Sequence, residues 1–249
     1  MTAAADQPIK PQPELPAPVA DAPVQLVLDL PHLVSFGLDD FLISKSNAAA
    51  ASLVDSWPHW PHSAAAICGP AGSGKSHLAQ AWLVRSGAGA ISGVQVSEAA
   101  IGILESRSAL IVEDIDRGIA DERALFHIFN MARERGYFVL LTSKTAPGDL
   151  EIALPDLRSR LRALPLALID PPDEALLQAV LVKLFDDRQL SVDPHVVSYM
   201  ALHMDRSMAA ARRVIAVADA LALSKQRKVT RAIAAEALAV VKGQGEDGA

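Results

Sequence analysis

Apolar positions along the chain follow two patterns, and the change between them divides the sequence. From residue 64 to about 170, short apolar runs alternate with longer stretches of helical periodicity, and the runs predict strands at 64–68, 109–113, 137–142 and 164–169. After Asp170-Pro171-Pro172 the apolar positions recur only at helical spacing. The pattern therefore predicts a parallel α/β sheet with helices on both faces, followed by a small all-helical domain.

The helical stretches are bounded by recognisable signals. Helices are predicted at 46–57, 75–86, 121–135, 173–189, 194–204, 207–224 and 230–241. Asp173 and Thr230 precede two of them and are expected N-caps, because their side-chain oxygens can accept backbone N–H groups.

The two ends of the chain differ from its centre in composition. Residues 1–24 are rich in proline and poor in large apolar side chains, which is typical of a disordered arm. Residues 25–30, Gln-Leu-Val-Leu-Asp-Leu, are extended and apolar, and are interpreted either as an edge strand or as a peptide that docks into another protein. We expect the α/β domain over 33–170, the helical lid domain over 171–241 and a flexible tail over 242–249.

Composition excludes several classes of protein. The 249 residues carry 23 Lys and Arg against 29 Asp and Glu, a net charge of −6, which argues against a surface that coats nucleic acid. A single cysteine, Cys68, cannot form an internal disulfide. Apolar runs stay below the roughly 18 residues of a membrane helix. The N-terminus has no secretory signal pattern, so a cytoplasmic protein is expected.

A glycine-rich turn follows the first predicted strand. Residues 69–76, Gly-Pro-Ala-Gly-Ser-Gly-Lys-Ser, match the phosphate-loop pattern G-x-x-x-x-G-K-[ST] at every fixed position. Glycines allow amide N–H groups to converge on phosphate oxygens, and the start of the next helix adds positive potential. Lys75 is expected at the β- and γ-phosphates and Ser76 at Mg²⁺. The predicted ligand is ADP or ATP with Mg²⁺, held by Gly69, Pro70, Ala71, Gly72, Ser73, Gly74, Lys75, Ser76 and His77.

Polar groups follow the next strands. Glu113 and Asp114 end the run at 109–113, where one acid can hold Mg²⁺ and its neighbour can orient the attacking water, so Glu113 is the second predicted metal ligand. Thr142 and Ser143 end the following strand, at the edge of an open sheet that faces the ligand, and are candidates to contact the γ-phosphate or the attacking water. Arg158 and Arg160 are interpreted either as surface residues in salt bridges or as arginines that stabilise the γ-phosphate of a nucleotide bound to a neighbouring molecule.

These motifs together resemble those of bacterial DnaA-type replication initiators, which are AAA+ proteins. The similar segments are Gly-Lys-Ser-His-Leu at 74–78 (phosphate loop), Phe-Leu-Ile-Ser-Lys-Ser-Asn at 41–47 (adenine side, with Ile43), Leu-Thr-Ser at 141–143 (sensor I) and Leu-Arg-Ser-Arg-Leu at 157–161 (arginine-finger box). The resemblance covers residues 33–240 and implies the AAA+ fold, with Arg160 at the finger position.

Two features in which the chain differs from the initiator are similar to those of the Hda family, the regulatory inactivators of DnaA. The 249 residues leave no room for a DNA-reading helix-turn-helix domain, and residues 25–30 are similar to the motif that binds the replication sliding clamp. The resemblance implies that Gln25, Leu26, Leu28 and Leu30 bind the clamp. It also implies that Arg160 completes the ATPase site of a DnaA partner. It further implies association with the nucleoid through the clamp, with weak or indirect DNA contact and self-association as further options.

Two positions depart from the family pattern. The acids are Glu113-Asp114, where an Asp is usual first, and the lid has no sensor II arginine directly after Asp205-Arg206. The next arginines, Arg212 and Arg213, come about a turn later. These departures favour a chain that binds nucleotide but does not hydrolyse ATP rapidly by itself.

Other functions stay open at this point. A helicase loader or transposition-helper ATPase would bind helicase or DNA and hydrolyse its own ATP, and a small-molecule kinase would need an acceptor pocket. The basic residues Lys225, Arg227, Lys228 and Arg231 are interpreted as a solvated turn or as a DNA contact.

Overall fold

The computed structural model describes residues 41–246, with side chains up to residue 243. The predicted disordered arm at 1–24 lies outside the described residues. So does the predicted clamp-binding peptide with Gln25, Leu26, Leu28 and Leu30.

Parallel strands form the centre of the molecule. They are β1 (Ala64–Cys68), β2 (Gly89–Ser92), β3 (Ala109–Glu113), β4 (Phe138–Ser143) and β5 (Leu166–Leu168). Within residues 41–246 they form one five-stranded sheet in the order β2-β3-β4-β1-β5, and every neighbouring pair is parallel. This confirms the predicted sheet and brings the carboxyl ends of β1, β3 and β4 to the same edge.

Helices cover both faces of this sheet, as predicted. On one face lie α1 (Ala48–Asp55) and α2 (Lys75–Ser86), and on the other α3 (Glu98–Arg107), α4 (Glu122–Arg135) and α5 (Pro155–Ala163). Each face of the sheet has its own hydrophobic core, and β1 contributes to both because its side chains point alternately to the two faces. Ala65 and Ile67 pack with α1 and α2, and Ala66 packs with the other helices.

The chain's three tryptophans fill the space that the alanines of β1 leave open. Trp60 stacks on Trp82 with ring centroids 5.3 Å apart, and Trp57 and Phe138 pack edge-on against this pair. The Trp60 indole N–H also donates to the Leu53 carbonyl at 2.7 Å. These contacts hold the segment between α1 and β1 and therefore fix the position at which β1 begins.

The second half of the molecule is helical, as predicted. Its helices are α6 (Glu174–Asp186), α7 (Pro194–His203), α8 (Met208–Ser224) and α9 (Arg231–Glu246), and they share a hydrophobic core of their own. The Asp173 carboxylate accepts from the Leu176 N–H at 2.7 Å, which confirms this N-cap. The domain boundaries at 33, 170 and 241 stay predictions.

Several elements differ from the sequence-based prediction. The prediction omitted β2, α3 and α5, and it gave β5 the range 164–169 where only Leu166–Leu168 pair. Helix α9 continues to Glu246, although a flexible tail was predicted from 242. A glycine costs a helix about 1 kcal/mol relative to alanine, so Gly243 weakens α9 without ending it. Among the described helices, none combines the length and the apolar character that a membrane crossing requires.

Candidate nucleotide site

The phosphate loop connects β1 to α2 in a backbone conformation that depends on glycine. Gly72 and Gly74 have φ of +72° and +108°, angles that residues with side chains rarely adopt. The Gly69 N–H donates to the Ser143 carbonyl at 3.1 Å, which ties the loop to the end of β4. A Cβ atom on Gly69 would lie 2.4 Å from the Ile169 carbonyl oxygen, so the backbone leaves no space for one.

Lys75 is buried inside this loop. Its Nζ donates to the carbonyl oxygens of Gly69 at 2.7 Å and Pro70 at 2.9 Å. Burial lowers the pKa of Lys75, and the carboxylates of Asp114 and Asp116 partly offset this by raising it. The loop therefore holds the Lys75 ammonium in its interior, within the electrostatic influence of the acids near the end of β3.

The remaining groups of the loop fit an anionic phosphate tail. The Ser73 and Ser143 hydroxyls are buried and make no hydrogen bond to the described residues. Ser76 is exposed in the first turn of α2, where backbone N–H groups have no acceptor within the helix. Convergent N–H groups, a buried cation and unpaired hydroxyls together form a site suited to phosphate oxygens.

The segment 41–47 is anchored next to the loop by a buried asparagine. Asn47 donates from Nδ2 to the Leu42 carbonyl at 2.9 Å and accepts from the Ser44 N–H at 2.8 Å. The Phe41 ring lies 3.6 Å from the Cβ position of Gly74 and 5.4 Å from the His77 ring. Ile43 is 65% exposed in this segment and is free to contact a ligand. Asn47 was not among the predicted site residues.

Three acids lie in the segment 113–118, at the end of β3 and just after it. Glu113 is the last residue of the strand, and Asp114, which follows it, has the left-handed conformation, with φ of +52°. The Asp114 N–H donates to Thr142 Oγ1 at 3.0 Å, and the Lys144 N–H donates to Asp116 Oδ1 at 2.8 Å. Burial raises the pKa of Glu113, and Asp114 raises it further. Asp116 was not among the predicted site residues, although the sequence places a third acid only two residues after Asp114.

The roles of Ser76 and Glu113 as Mg²⁺ ligands remain predictions. Among the described side chains, no group of three or more His, Cys, Asp or Glu residues converges to hold a metal ion. Mg²⁺ commonly binds through one or two protein groups together with phosphate oxygens and water, and Ser76 and Glu113 fit that requirement.

The start of α8 contacts the phosphate loop directly. The Met208 N–H donates to the Gly72 carbonyl at 2.8 Å. The Cβ atoms of Ser207 and Ala209 lie 3.1 and 3.2 Å from the Cβ position of Gly72. Small residues of the lid therefore rest against the loop, while Arg212 and Arg213 are exposed about one turn further along α8.

Arg160 lies at the opposite edge of the sheet from the loop. Its guanidinium donates to Asn130 Oδ1 and sits 4.7 Å from the centre of the Phe126 ring. It lines a cavity of about 310 Å³ together with Arg133, His62 and Ala64, the first residue of β1. Burial lowers the pKa of Arg160, and Arg133 lowers it further. The loop follows the last residue of β1, about 13 Å away along the strand.

The structure thus separates the predicted site residues into two groups. The loop, Glu113, Asp114, Thr142 and Ser143 meet at one edge of the sheet. Arg160 is placed outside that group. In the basic cluster predicted between the last two helices, Lys225 pairs with Glu236 and Arg231 stacks on Tyr199 at 4.6 Å.

Comparison with known proteins gives the relationship of the chain. No protein-family model matches it. The chromosomal replication initiator protein DnaA of Lacticaseibacillus paracasei is 27% identical over 233 residues, which cover 83% of this chain and 52% of that protein. Over these residues the chain is similar in sequence to DnaA. It spans about half the length of the curated relatives it matches.

Solved structures support the AAA+ fold. Domain III of Thermotoga maritima DnaA superposes with a TM-score of 0.73 at 18% identity, covering 85% of this chain and 99% of that one. A DnaA structure bound to AMPPCP and single-stranded DNA gives a TM-score of 0.62 at 20% identity, covering 77% of this chain and 68% of that one. The chain therefore has the AAA+ fold, a phosphate-loop sheet followed by a helical region.

Proposed function

We propose that this DnaA-related chain is a regulator of replication initiation of the Hda type, which promotes hydrolysis of the ATP bound to a DnaA partner. The observation that carries the proposal is the separation of the phosphate loop from Arg160, which lies at the other end of β1. An arginine at this distance from its own phosphate loop does not reach the nucleotide bound there, so a role as an arginine finger requires the nucleotide of a neighbouring molecule. Homology to DnaA suggests the kind of neighbour.

In this proposal the loop of the chain itself binds ADP or ATP with Mg²⁺. A homologous DnaA structure holds the ATP analogue AMPPCP, which supports an adenine nucleotide. Lys75 and the start of α2 bind the phosphates, and Ser76 and Glu113 hold Mg²⁺. Ile43 contacts the adenine side.

Arg160 supplies charge stabilisation to the partner's ATP. Asn130 and Phe126 orient the guanidinium, and Glu122 accepts the N–H groups of Ala153 and Leu154 at 3.0 and 2.6 Å, which fixes the start of α5. A guanidinium placed at the γ-phosphate stabilises the charge of the transition state.

The remaining parts of the proposal rest on the sequence. Gln25, Leu26, Leu28 and Leu30 dock into the sliding clamp, which places the protein on replicating DNA in the bacterial cytoplasm. DNA contact is indirect, through the clamp, and self-association is compatible with the AAA+ fold.

A reconstituted assay tests this function with DnaA-ATP, the clamp loaded on DNA and purified variants. Arg160→Ala should reduce the stimulated hydrolysis by about 10³-fold, the lower end of the effect of an arginine finger. It should leave the affinity of the chain for ADP within about twofold, because Arg160 is remote from the loop. Lys75→Ala should instead weaken nucleotide binding, and Gln25→Ala with Leu26→Ala should abolish clamp binding.

Arg158 provides the matched control, since it is exposed on the same helix two residues earlier. Arg158→Ala should retain stimulation. Full stimulation by Arg160→Ala would refute the role in trans, and equal loss in both variants would indicate a general disturbance of α5.

A helicase-loader or transposition-helper ATPase is the second candidate. It is favoured by the acids at the end of β3 and by Thr142, which lie near the chain's own loop and suit hydrolysis in cis. Rapid ATP turnover by the isolated chain, stimulated by single-stranded DNA or helicase, would favour this candidate.

A further inference from the structure

A cavity lined by basic residues lies at the amino ends of β1 and β5. Its volume is about 310 Å³, and its lining includes Ala64, the first residue of β1, and Pro165, which directly precedes β5. His62, Arg133 and Arg160 also line it. The cavity therefore lies at the edge of the sheet opposite the phosphate loop.

One face of α4 brings Arg133 next to Arg160. Phe126, Asn130 and Arg133 follow one another at spacings of four and three residues, which places them on the same face of the helix. The Arg160 guanidinium lies 4.7 Å from the centre of the Phe126 ring and donates to Asn130 Oδ1. Arg133 comes one turn later, in the last turn of α4, and reaches the same cavity.

The charges of these two arginines are not neutralised within the described part of the chain. There, no carboxylate forms a salt bridge with Arg133 or Arg160, and Arg133 donates no hydrogen bond. Burial lowers the pKa of Arg160 and the charge of Arg133 lowers it further, whereas Asp156 and Glu134 raise it. Two neighbouring cations without a salt bridge favour an anion that accepts hydrogen bonds from both.

A phosphate tail suits this arrangement better than a single carboxylate. A guanidinium presents paired N–H groups that match phosphate and carboxylate oxygens equally well. A carboxylate carries one charge and would leave one guanidinium uncompensated, whereas a di- or triphosphate carries several charges along its length. Phe129, Ala163 and Leu164 line the rest of the cavity, and apolar walls strengthen such charged hydrogen bonds.

We propose that Arg133 is a second contact, beside Arg160, with the phosphate tail of the nucleotide bound to a neighbouring molecule. The inference rests on the proposed function for the source of that phosphate. Free polyphosphate is the other source of the same chemistry, and the experiments below separate the two. Arg133 was not among the predicted site residues, because it lies in a different helix from Arg160 and the two meet only in the folded chain.

A titration with inorganic tripolyphosphate tests the cavity without a partner. The full chain carries Lys75→Ala, which weakens its own phosphate loop, and NMR follows the arginine side-chain Nε–H groups. The signals of Arg133 and Arg160 should shift, and Arg133→Ala should weaken binding about tenfold, as expected for the loss of a charge-assisted hydrogen bond. Arg135→Ala is the matched control and should bind normally, since Arg135 lies in the same turn, pairs with Glu105 and is absent from the lining.

The assay with DnaA-ATP and the clamp loaded on DNA tests the source of the phosphate. Arg133→Ala should lower the maximal rate of hydrolysis about tenfold and keep the half-saturating concentration of the chain within about twofold. Arg133→Lys keeps the charge without the planar fork and should recover about threefold of the lost rate. Arg135→Ala should behave as the wild type.

Three results would overturn the inference. Unshifted Arg133 signals would show that the cavity binds no phosphate tail. Full hydrolysis with Arg133→Ala would show that Arg133 does not reach the partner's nucleotide, even if the cavity binds free tripolyphosphate. A raised half-saturating concentration at an unchanged maximal rate would show that Arg133 contacts the partner's protein surface instead.

Failure of the proposed function has a different outcome. If the wild-type chain stimulates no hydrolysis, the assignment to a partner's nucleotide fails with it. The tripolyphosphate titration still decides whether Arg133 and Arg160 together bind a phosphate tail.

Discussion

At the scale of single residues, Gly69 illustrates how the absence of a side chain shapes the site. Its Cβ position lies 2.4 Å from the Ile169 carbonyl oxygen and 3.0 Å from Ser73 Oγ. Because the first neighbour is backbone, it cannot move aside easily. We expect Gly69→Ala to lower the free energy of unfolding by about 1–3 kcal/mol, the usual cost of overpacking. Urea denaturation measures this change.

Gly102 is the matched control for Gly69. It lies within α3, and a Cβ atom there would meet nothing within 4 Å. Gly102→Ala should therefore raise stability by about 0.5–1 kcal/mol, because alanine favours the helix. Equal effects of the two substitutions would show that the contact with Ile169 does not limit the loop.

Also at the residue scale, protonation of Glu113 should make the stability of the chain depend on pH. Burial and Asp114 raise its pKa above the ordinary value, so the folded chain binds the proton more tightly than the unfolded chain. Stability should therefore fall as pH rises from the ordinary glutamate pKa through the raised one. Glu113→Gln should remove this fall and leave the variant more stable than the wild type at neutral pH.

Unfolding free energies measured between pH 4 and pH 8 test the role of Glu113. The exposed Glu151 is the control, and Glu151→Gln should preserve the wild-type pH profile. A wild-type profile in Glu113→Gln would contradict the assignment to this carboxylate.

At the scale of elements, helix starts follow from the local sequence. Asp173 accepts from the Leu176 N–H at 2.7 Å, and Asp193 and Ser207 cap α7 and α8 in the same way. We expect Asp173→Ala to lower the free energy of unfolding by about 0.5–2 kcal/mol, because one N–H at the start of α6 loses its acceptor. Asp173→Asn keeps an acceptor and should stay close to wild type in urea denaturation.

Two elements without a strong local sequence pattern, β2 and α5, were not predicted. Strand β2 has four residues, Gly-Ala-Ile-Ser, and it is defined by its pairing with β3, in which Ala90 lies opposite Ile111. Helix α5 carries its core contacts on Leu157 and Leu161 amid charged residues. Both elements depend on neighbours that are distant in sequence, so short-range periodicity did not indicate them.

At the scale of the whole molecule, the start of α8 in the helical region contacts the phosphate loop, and we expect this contact to couple nucleotide binding to the position of α8. The Ala209 Cβ lies 3.2 Å from the Cβ position of Gly72, and Met208 donates to the Gly72 carbonyl. Ala209→Leu should push α8 from the loop and change the affinity for ADP by at least about fivefold, the lower range of site coupling. Calorimetric titration measures this affinity.

Ala216 is the control for this contact, because it is exposed about two turns further along α8. Ala216→Leu should bind ADP as the wild type does. If Ala209→Leu also leaves ADP binding unchanged, the lid contact carries no coupling to the nucleotide.

The sequence by itself determined the features that depend on near neighbours. Glycine content and the adjacent strand and helix defined the phosphate loop, short apolar runs and helical periodicity defined most elements, and Asp173 marked a helix start. Tertiary structure alone decided which distant residues meet. It placed Thr142 under the Asp114 amide, Asp116 beside Lys144, Ala209 against Gly72, and Arg160 at the far end of β1. These contacts join residues far apart in the chain, and strand order and close packing, which no local pattern encodes, set their geometry.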